Sequence, residues 1–232
     1  MREEIYHRDK DYRKYEYLFE NIFRKRVNLI SRFVNRGRLL EIGSATGVML
    51  MLFKKRGWDT LGIEPSGSSQ EAKKKNLRVL NIRFEDAKLP KDYFDLVVLN
   101  HTLEHMDNPR GALKKVNSVL KKNGLVFVDV PNFGGLGSKI LGKYWPYLLP
   151  KEHKHQFTRQ SLMGLLEKSG FKVIHWESRS GLFEYANPLL ELWQGLSGLK
   201  KRFFTDILTF PYALIATLLN VGDSLSIVGE KY

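Results

Sequence analysis

The apolar residues of this 232-residue chain change their spacing several times. Between Tyr15 and Arg36, Leu18, Phe19, Ile22, Phe23, Leu29, Ile30, Phe33 and Val34 recur at helical steps, predicting an amphipathic helix closed by Gly37. From Arg38 the pattern switches to short, solid apolar runs separated by helical stretches. RLLEIG is a buried strand, Gly47 to Arg56 a helix ended by Gly57, and WDTLGIE a second strand. Gly67 to Lys75 is a helix that Ser66 can cap. RVLNI and FDLVVLN are the third and fourth strands. Asn108 and Pro109 form an N-cap and first-turn pair for a helix running to Asn123 and Gly124, and LVFVDV is the fifth strand.

The periodicity then loosens into a long glycine- and aromatic-rich connection, residues 132–157. Order returns at Thr158, where Phe157 and Leu162 can staple the start of a helix carrying Leu162, Leu165 and Leu166. Ser169 and Gly170 end that helix, FKVIHWES is the sixth strand, Leu182 to Val221 is helical and apolar, and SLSIVGEK is the last strand. Repeated β-α-β units with solid apolar strands predict an α/β fold around a mostly parallel sheet covered on both faces. Ligands of such sheets lie at the carboxyl ends of the strands, where the strand order reverses. The loop after the first strand, Gly43 to Gly47, is therefore the default binding site.

Three ligands compete for that loop. A P-loop needs Lys after its last glycine, and Val48 follows Gly47. A dinucleotide fingerprint starting at Gly43 meets Ala45 at its second glycine and Val48 at its third, where a side chain obstructs the strand–helix approach. S-adenosylmethionine carries no phosphate and needs only small residues and exposed backbone N–H groups near a helix N-terminus. Gly43, Ser44, Ala45 and Gly47 supply these. Glu64, at the end of the second strand, can accept from both ribose hydroxyls, and Asp86 from an adenine amine. The blander alternatives are a tight strand–helix turn at Gly47 and a Glu64 that faces Lys73 or Lys74.

Charge adds little. The net charge of +13 permits anionic partners, but the basic residues are scattered in pairs and triplets at predicted helix ends. No stacked aromatic motif accompanies them, which disfavours nucleic acid. Absence of cysteine excludes thiolate metal sites and cysteine nucleophiles. The charged start, MREEIYHRDKDY, is not a secretory signal, so the expected location is cytoplasmic.

LLEIGSATG, GIEPS, FEDAKLP, FDLVVLNHTLEHMDNP and PKEHKHQFT, in this order, resemble the class I S-adenosylmethionine-dependent methyltransferases. The branch is the one containing ubiquinone-type O-methyltransferases and many polysaccharide or small-molecule methyltransferases. The resemblance runs from about Leu39 to Phe171, with an echo in the last strand. It implies a doubly wound, Rossmann-like sheet of seven strands whose last strand is antiparallel. Residues 38–232 would be the methyltransferase domain, with 1–37 an N-terminal helical cap, 132–157 an acceptor lid and 182–221 a helical insertion. By position, Glu41, Gly43, Ser44, Ala45 and Gly47 would surround the methionine end of S-adenosylmethionine. Glu64 would bind ribose, Pro65, Asp86 and Ala87 would lie by the adenine, and Asn100 and His101 under the sulfonium. Ala45 stands where the family has glycine, which asks for an ordinary negative φ.

A hydroxyl acceptor must lose a proton, and histidine titrates near working pH. His105, beyond the fourth strand, and His153 and His155 in the lid are the candidate catalytic residues. His105 could instead only orient its loop. Glu104 would cap the following helix or pair with Arg110, and Asp107 would support that helix electrostatically. His153 and His155, two apart in an extended segment, would share a face; without a third ligand nearby they predict no metal. Lys200 to Val221 is interrupted by Asp206 and Pro211, so it does not span a membrane. Burial against the sheet or a homodimer contact is favoured over an interfacial helix touching anionic lipid. The acceptor would be a small molecule, a sugar or a lipid-linked group. A non-catalytic scaffold and an RNA-modifying enzyme are the alternatives.

Overall fold

In the computed structural model, which describes residues 16–197 and 201–232, the solid apolar runs become the centre of one sheet. Residues 1–15 of the expected N-terminal cap, and Lys200 at the start of the apolar tail, lie outside the described residues. The strands are β1 (Arg38–Ile42), β2 (Asp59–Ile63), β3 (Val79–Leu80), β4 (Phe94–Asn100), β5 (Leu120–Pro131), β6 (Phe171–Arg179) and β7 (Ser224–Lys231). Among the described residues they form a seven-stranded sheet ordered β3-β2-β1-β4-β5-β7-β6. The first five strands run parallel, and β7 enters antiparallel between β5 and β6. The sheet order reverses between β1 and β4, so the Gly43 loop and the end of β4 open onto the same crevice.

Because side chains alternate across a strand, neighbouring residues feed opposite cores. Leu40, Ile42, Val97 and Leu99 pack with Leu113, Val116, Leu162 and Leu166 on one face. The helices there are α4 (Pro109–Val119) and α6 (Arg159–Glu167). Leu39, Leu96, Val98 and Phe127 pack with Phe23, Val27 and Phe53 on the other. That face is covered by α1 (Glu16–Ile30) and α2 (Val48–Lys55). The remaining helices are α3 (Ser68–Lys74), α5 (Leu136–Leu141), α7 (Pro188–Ser197) and α8 (Lys201–Leu218).

Several boundaries differ from expectation. Helix α1 stops at Ile30, and Gly37 does not cap it. Gly37 has φ 138°, and a Cβ there would meet Asp95 Oδ2 at 2.6 Å, so this glycine lets the chain pass Asp95 as it enters β1. Helix α4 ends at Val119. Leu120 already pairs with Phe94, and the ladder resumes at Leu96 opposite Leu125 after an irregular stretch with Asn123 at φ 62°. The Phe157–Leu162 staple is buried, and Thr158 and Ser161 complete a reciprocal cap at the start of α6.

The expected burial of the apolar tail is overturned. Helix α8 turns Asp206, Ala213 and Ala216 inward and leaves Phe204, Ile207, Leu208, Ile215 and Leu218 exposed. Small residues let it lie close to the chain near Gly181, where a Cβ would meet that of Ala213 at 2.9 Å. Its larger side chains therefore find no room on the inner face.

Candidate functional site

The binding loop is strained in a way its sequence does not announce. Gly43 and Gly47 have φ 76° and 78°, and Ala45 between them has φ 44°. The negative φ expected at Ala45 is thus corrected: a left-handed conformation is imposed on an alanine at a cost of about 1–2 kcal/mol. Glu64 is the compensating contact. Its Oε2 accepts from Ala45 N at 2.8 Å and its Oε1 from Ser66 N at 2.9 Å, so the carboxylate faces the loop rather than Lys73 or Lys74. Gly43 is required for a different reason, since a Cβ there would sit 2.4 Å from Thr102 Oγ1. A Cβ on Gly47 would meet Leu77 at 2.4 Å, which makes Gly47 the tight strand–helix turn.

Phe23, Glu41, Gly43, Ser44, Ala45, Thr46, Val48 and Asn100 line a small cleft beneath this loop. Four buried polar atoms in it, Glu41 Oε2, Ser44 Oγ, Thr46 Oγ1 and Asn100 Oδ1, have no hydrogen-bond partner. Natural proteins satisfy such atoms, so their convergence marks a place for a polar ligand. Burial, reinforced by the charge of Glu64, raises the Glu41 carboxyl well above the usual range. A cation in the cleft would draw off that proton. Phe23 and Thr46 were not singled out from sequence; Phe23 reads there as an ordinary core residue of α1.

Glu64 is buried and adjoins the loop, whereas Pro65, just past β2, and Asp86, in a short helical turn at Phe84–Asp86, are exposed. Ala87 is buried, and Lys115 gathers the carbonyls of Phe84, Glu85 and Ala87 at 2.6–2.9 Å. The cleft itself brings Glu41, Gly43, Ser44, Ala45 and Asn100 together; Glu64 adjoins it through Ala45, and Gly47, Pro65, Asp86, Ala87 and His101 are not among its lining residues.

Beyond β4 lies a polar network that sequence reasoning missed. His101, at φ 49°, places Nδ1 3.3 Å from Glu104 Oε1 and Nε2 3.3 Å from Asp129 Oδ1. Burial alone would lower its pKa, but the two carboxylates push it up to about 9. Asp129 also meets Arg26 at 3.3 Å and Arg179 at 3.8 Å, and Arg26 reaches Glu184 at 2.6 Å. Although burial opposes it, Arg26, His101 and Arg179 hold the Asp129 carboxyl far below the carboxylate range. The one signal in the sequence was an aspartate inside the solid apolar strand LVFVDV.

Glu104 neither caps α4 nor pairs with Arg110. It is 1% exposed, beside His101, and neither oxygen completes a well-aligned hydrogen bond. Asn108 is the cap, accepting from Gly111 N at 2.8 Å. Asp107 instead binds Arg83 at 2.9 Å and Lys154 at 2.6 Å, tying the 132–157 connection to the loop after β3. Residues 149–153 turn, with His153 N bonded to Leu149 O, and Lys154 between the two histidines is exposed. His153 meets His105 edge-on at 4.8 Å between centroids, while the His155 ring stacks on Phe157 and the His155 backbone N–H donates to Glu104 O.

Glu104 and His105, not His155, gather with His153. Ligand atoms of Glu104, His105 and His153 lie within 4.8 Å of one another. His105 Nδ1 is 2.9 Å from Glu152 O and His153 Nδ1 2.8 Å from Tyr147 O. Carbonyl partners assign the proton to Nδ1 in both rings and leave Nε2 as the basic atom. Burial lowers the His153 pKa and favours its neutral form. Two imidazoles and a carboxyl group so placed offer the donor set that can accept a proton or hold a first-row divalent cation.

A profile of the methyltransferase-domain family matches residues 12–176. The ubiquinone biosynthesis O-methyltransferase of Rhodopseudomonas palustris strain HaA2 is 26% identical over 175 residues, covering 68% of this chain and 65% of that protein. A crystal structure of a SAM-dependent methyltransferase from Thermotoga maritima superposes with TM-score 0.64 at 21% identity, over 97% of this chain and 98% of the other. Phosphoethanolamine N-methyltransferase 2 of Haemonchus contortus, solved with S-adenosyl-L-methionine, gives TM-score 0.67 at 15% identity, over 96% and 57%. At these identities the two structures show a shared fold.

Proposed function

The chain belongs to the methyltransferase-domain family, and from that premise we propose that it transfers a methyl group from S-adenosylmethionine to a hydroxyl oxygen of a small-molecule, sugar or lipid-linked acceptor. The enzyme is a class I, S-adenosylmethionine-dependent methyltransferase; the acceptor and the residue roles are our assignment. The observation that carries the assignment is the cleft below the Gly43 loop, whose four orphaned polar atoms and raised Glu41 suit a cationic amino-acid moiety.

When bound, the cofactor supplies an electrophilic methyl group on a sulfonium. The chain's residues hold and orient it. Ser44, Thr46 and Asn100 present hydrogen-bonding atoms to the methionine end, and Glu41 ionises to balance its positive charge. Glu64, already fixed by Ala45 and Ser66, offers its remaining lone pairs to the ribose hydroxyls. Asp86, Ala87 and Pro65 take the adenine side, and His101 the floor near the sulfonium. Held as a cation between Glu104 and Asp129, His101 is the wrong protonation state for a base.

The acceptor proton goes to His105 Nε2, with His153 and Glu104 beside it. His105 is fixed by its Nδ1 contact to Glu152 O, which leaves its second nitrogen basic. His155 acts through its backbone contact with Glu104. The acceptor lies under the lid, residues 132–157. The weak similarity to ubiquinone biosynthesis O-methyltransferases supports oxygen as the acceptor atom. The test is a screen of hydroxylated soluble and lipid-linked acceptors with labelled S-adenosylmethionine. His105→Ala should cut turnover about 10²–10⁴-fold at unchanged cofactor affinity. Labelling only of amines, or full turnover by His105→Ala, would overturn the assignment.

A further inference from the structure

Two consecutive helices of the insertion between β6 and β7 are built inside out. In α7, Glu191 is 1% exposed while Leu189 is 77% and Trp193 68% exposed. In α8, Asp206 is 9% exposed while Leu208 is 82% and Leu218 73% exposed. The exposed positions Phe204, Leu208, Pro211, Ile215 and Leu218 fall on one stripe of α8 at helical spacing. Both acidic residues of the two helices are turned inward, so the outer face carries no negative charge. A contiguous exposed face of leucine, isoleucine, phenylalanine and tryptophan is what a soluble monomer normally avoids.

We propose that this face docks the protein in the plane of an anionic lipid bilayer. Charge selects lipid over the other occupants. The chain carries a net +13, and its sequence places Lys200, Lys201 and Arg202 at the junction of α7 and α8. Two copies of so basic a chain repel across a shared interface, whereas anionic headgroups attract it while the apolar stripe enters the acyl boundary. No described helix is long and apolar enough to cross a membrane, so the contact is interfacial. The insertion leaves β6 at Arg179 and returns at Ser224, opposite Pro131 at the carboxyl end of β5, the end of the sheet that also carries the Gly43 loop.

This inference does not rest on methyl transfer, and its test is separable from it. Full-length protein is sedimented with phosphatidylcholine vesicles with and without phosphatidylglycerol, while tryptophan emission is recorded. The expected result is binding to the anionic vesicles with a blue shift that Trp193→Phe removes. Leu208→Asp with Ile215→Asp should reduce the bound fraction at least about tenfold, with thermal unfolding and cofactor affinity by calorimetry unchanged. Wild-type protein left in the supernatant, equal binding by the double variant, or a wild-type dimer that the double variant dissolves without any vesicle binding would each overturn it.

Discussion

Glu64 holds Ala45 in its left-handed conformation: the Ala45 N–H donates to the Glu64 carboxylate at 2.8 Å, and Ser66 fills the second oxygen at 2.9 Å. The residue expected to grip the cofactor's sugar therefore also shapes the loop. Glu64→Ala should weaken S-adenosylmethionine binding by ~1–3 kcal/mol through loss of charge-assisted hydrogen bonds. Calorimetry checks the affinity, and a lowered thermal midpoint checks the loop contribution.

Replacing Ala45 by glycine should reverse the usual penalty of an Ala→Gly change. Relief of ~1–2 kcal/mol of left-handed strain exceeds the ~0.5–1 kcal/mol of extra unfolded-chain entropy. Denaturant unfolding should show Ala45→Gly at least as stable as the parent, and Ala45→Val clearly less stable. A loss of stability in the glycine variant would contradict the strain.

Glu41 makes cofactor binding sensitive to pH. Its carboxyl is raised by burial and by Glu64, so it is protonated in the free protein above the ordinary carboxylate range. A cationic ligand favours the ionised form, so binding should release a proton and tighten as pH rises through that raised pKa. Calorimetry in buffers of different ionisation heat measures the release, and Glu41→Gln should abolish it.

His101 sets a second pH dependence, in stability. Its folded pKa of about 9 exceeds the unfolded value near 6.5, so its contribution is full below about 6.5 and is lost as pH rises through about 9. The pKa difference corresponds to roughly 3 kcal/mol as an upper bound. Proton NMR titration should place the His101 ring in that range. In Asp129→Asn, which removes one of its two carboxylate partners, the value should fall.

Much of the frame could be read from residue order alone. Solid apolar runs gave the strands, and the small residues between Leu39 and Leu50 gave the loop, because burial on both faces and tight turns act locally. What escaped depends on contacts between distant segments. Gly37 looks like a helix stop but exists for its approach to Asp95. Glu104 looks like a surface cap but is buried, and the 132–157 connection, through its turn at residues 149–153, delivers His153 to it. Helix α8 is apolar enough to be a core helix. Only the small inward residues Ala213 and Ala216, opposite Leu208 and Ile215, show that its larger residues face out.

The decisive measurement is a structure of the protein with S-adenosylmethionine bound. The ribose hydroxyls should lie within hydrogen-bond distance of Glu64 and the amino-acid end among Ser44, Thr46 and Asn100, with the sulfonium over His101. Cofactor bound away from the Gly43 loop, or with its sugar turned from Glu64, would contradict this placement.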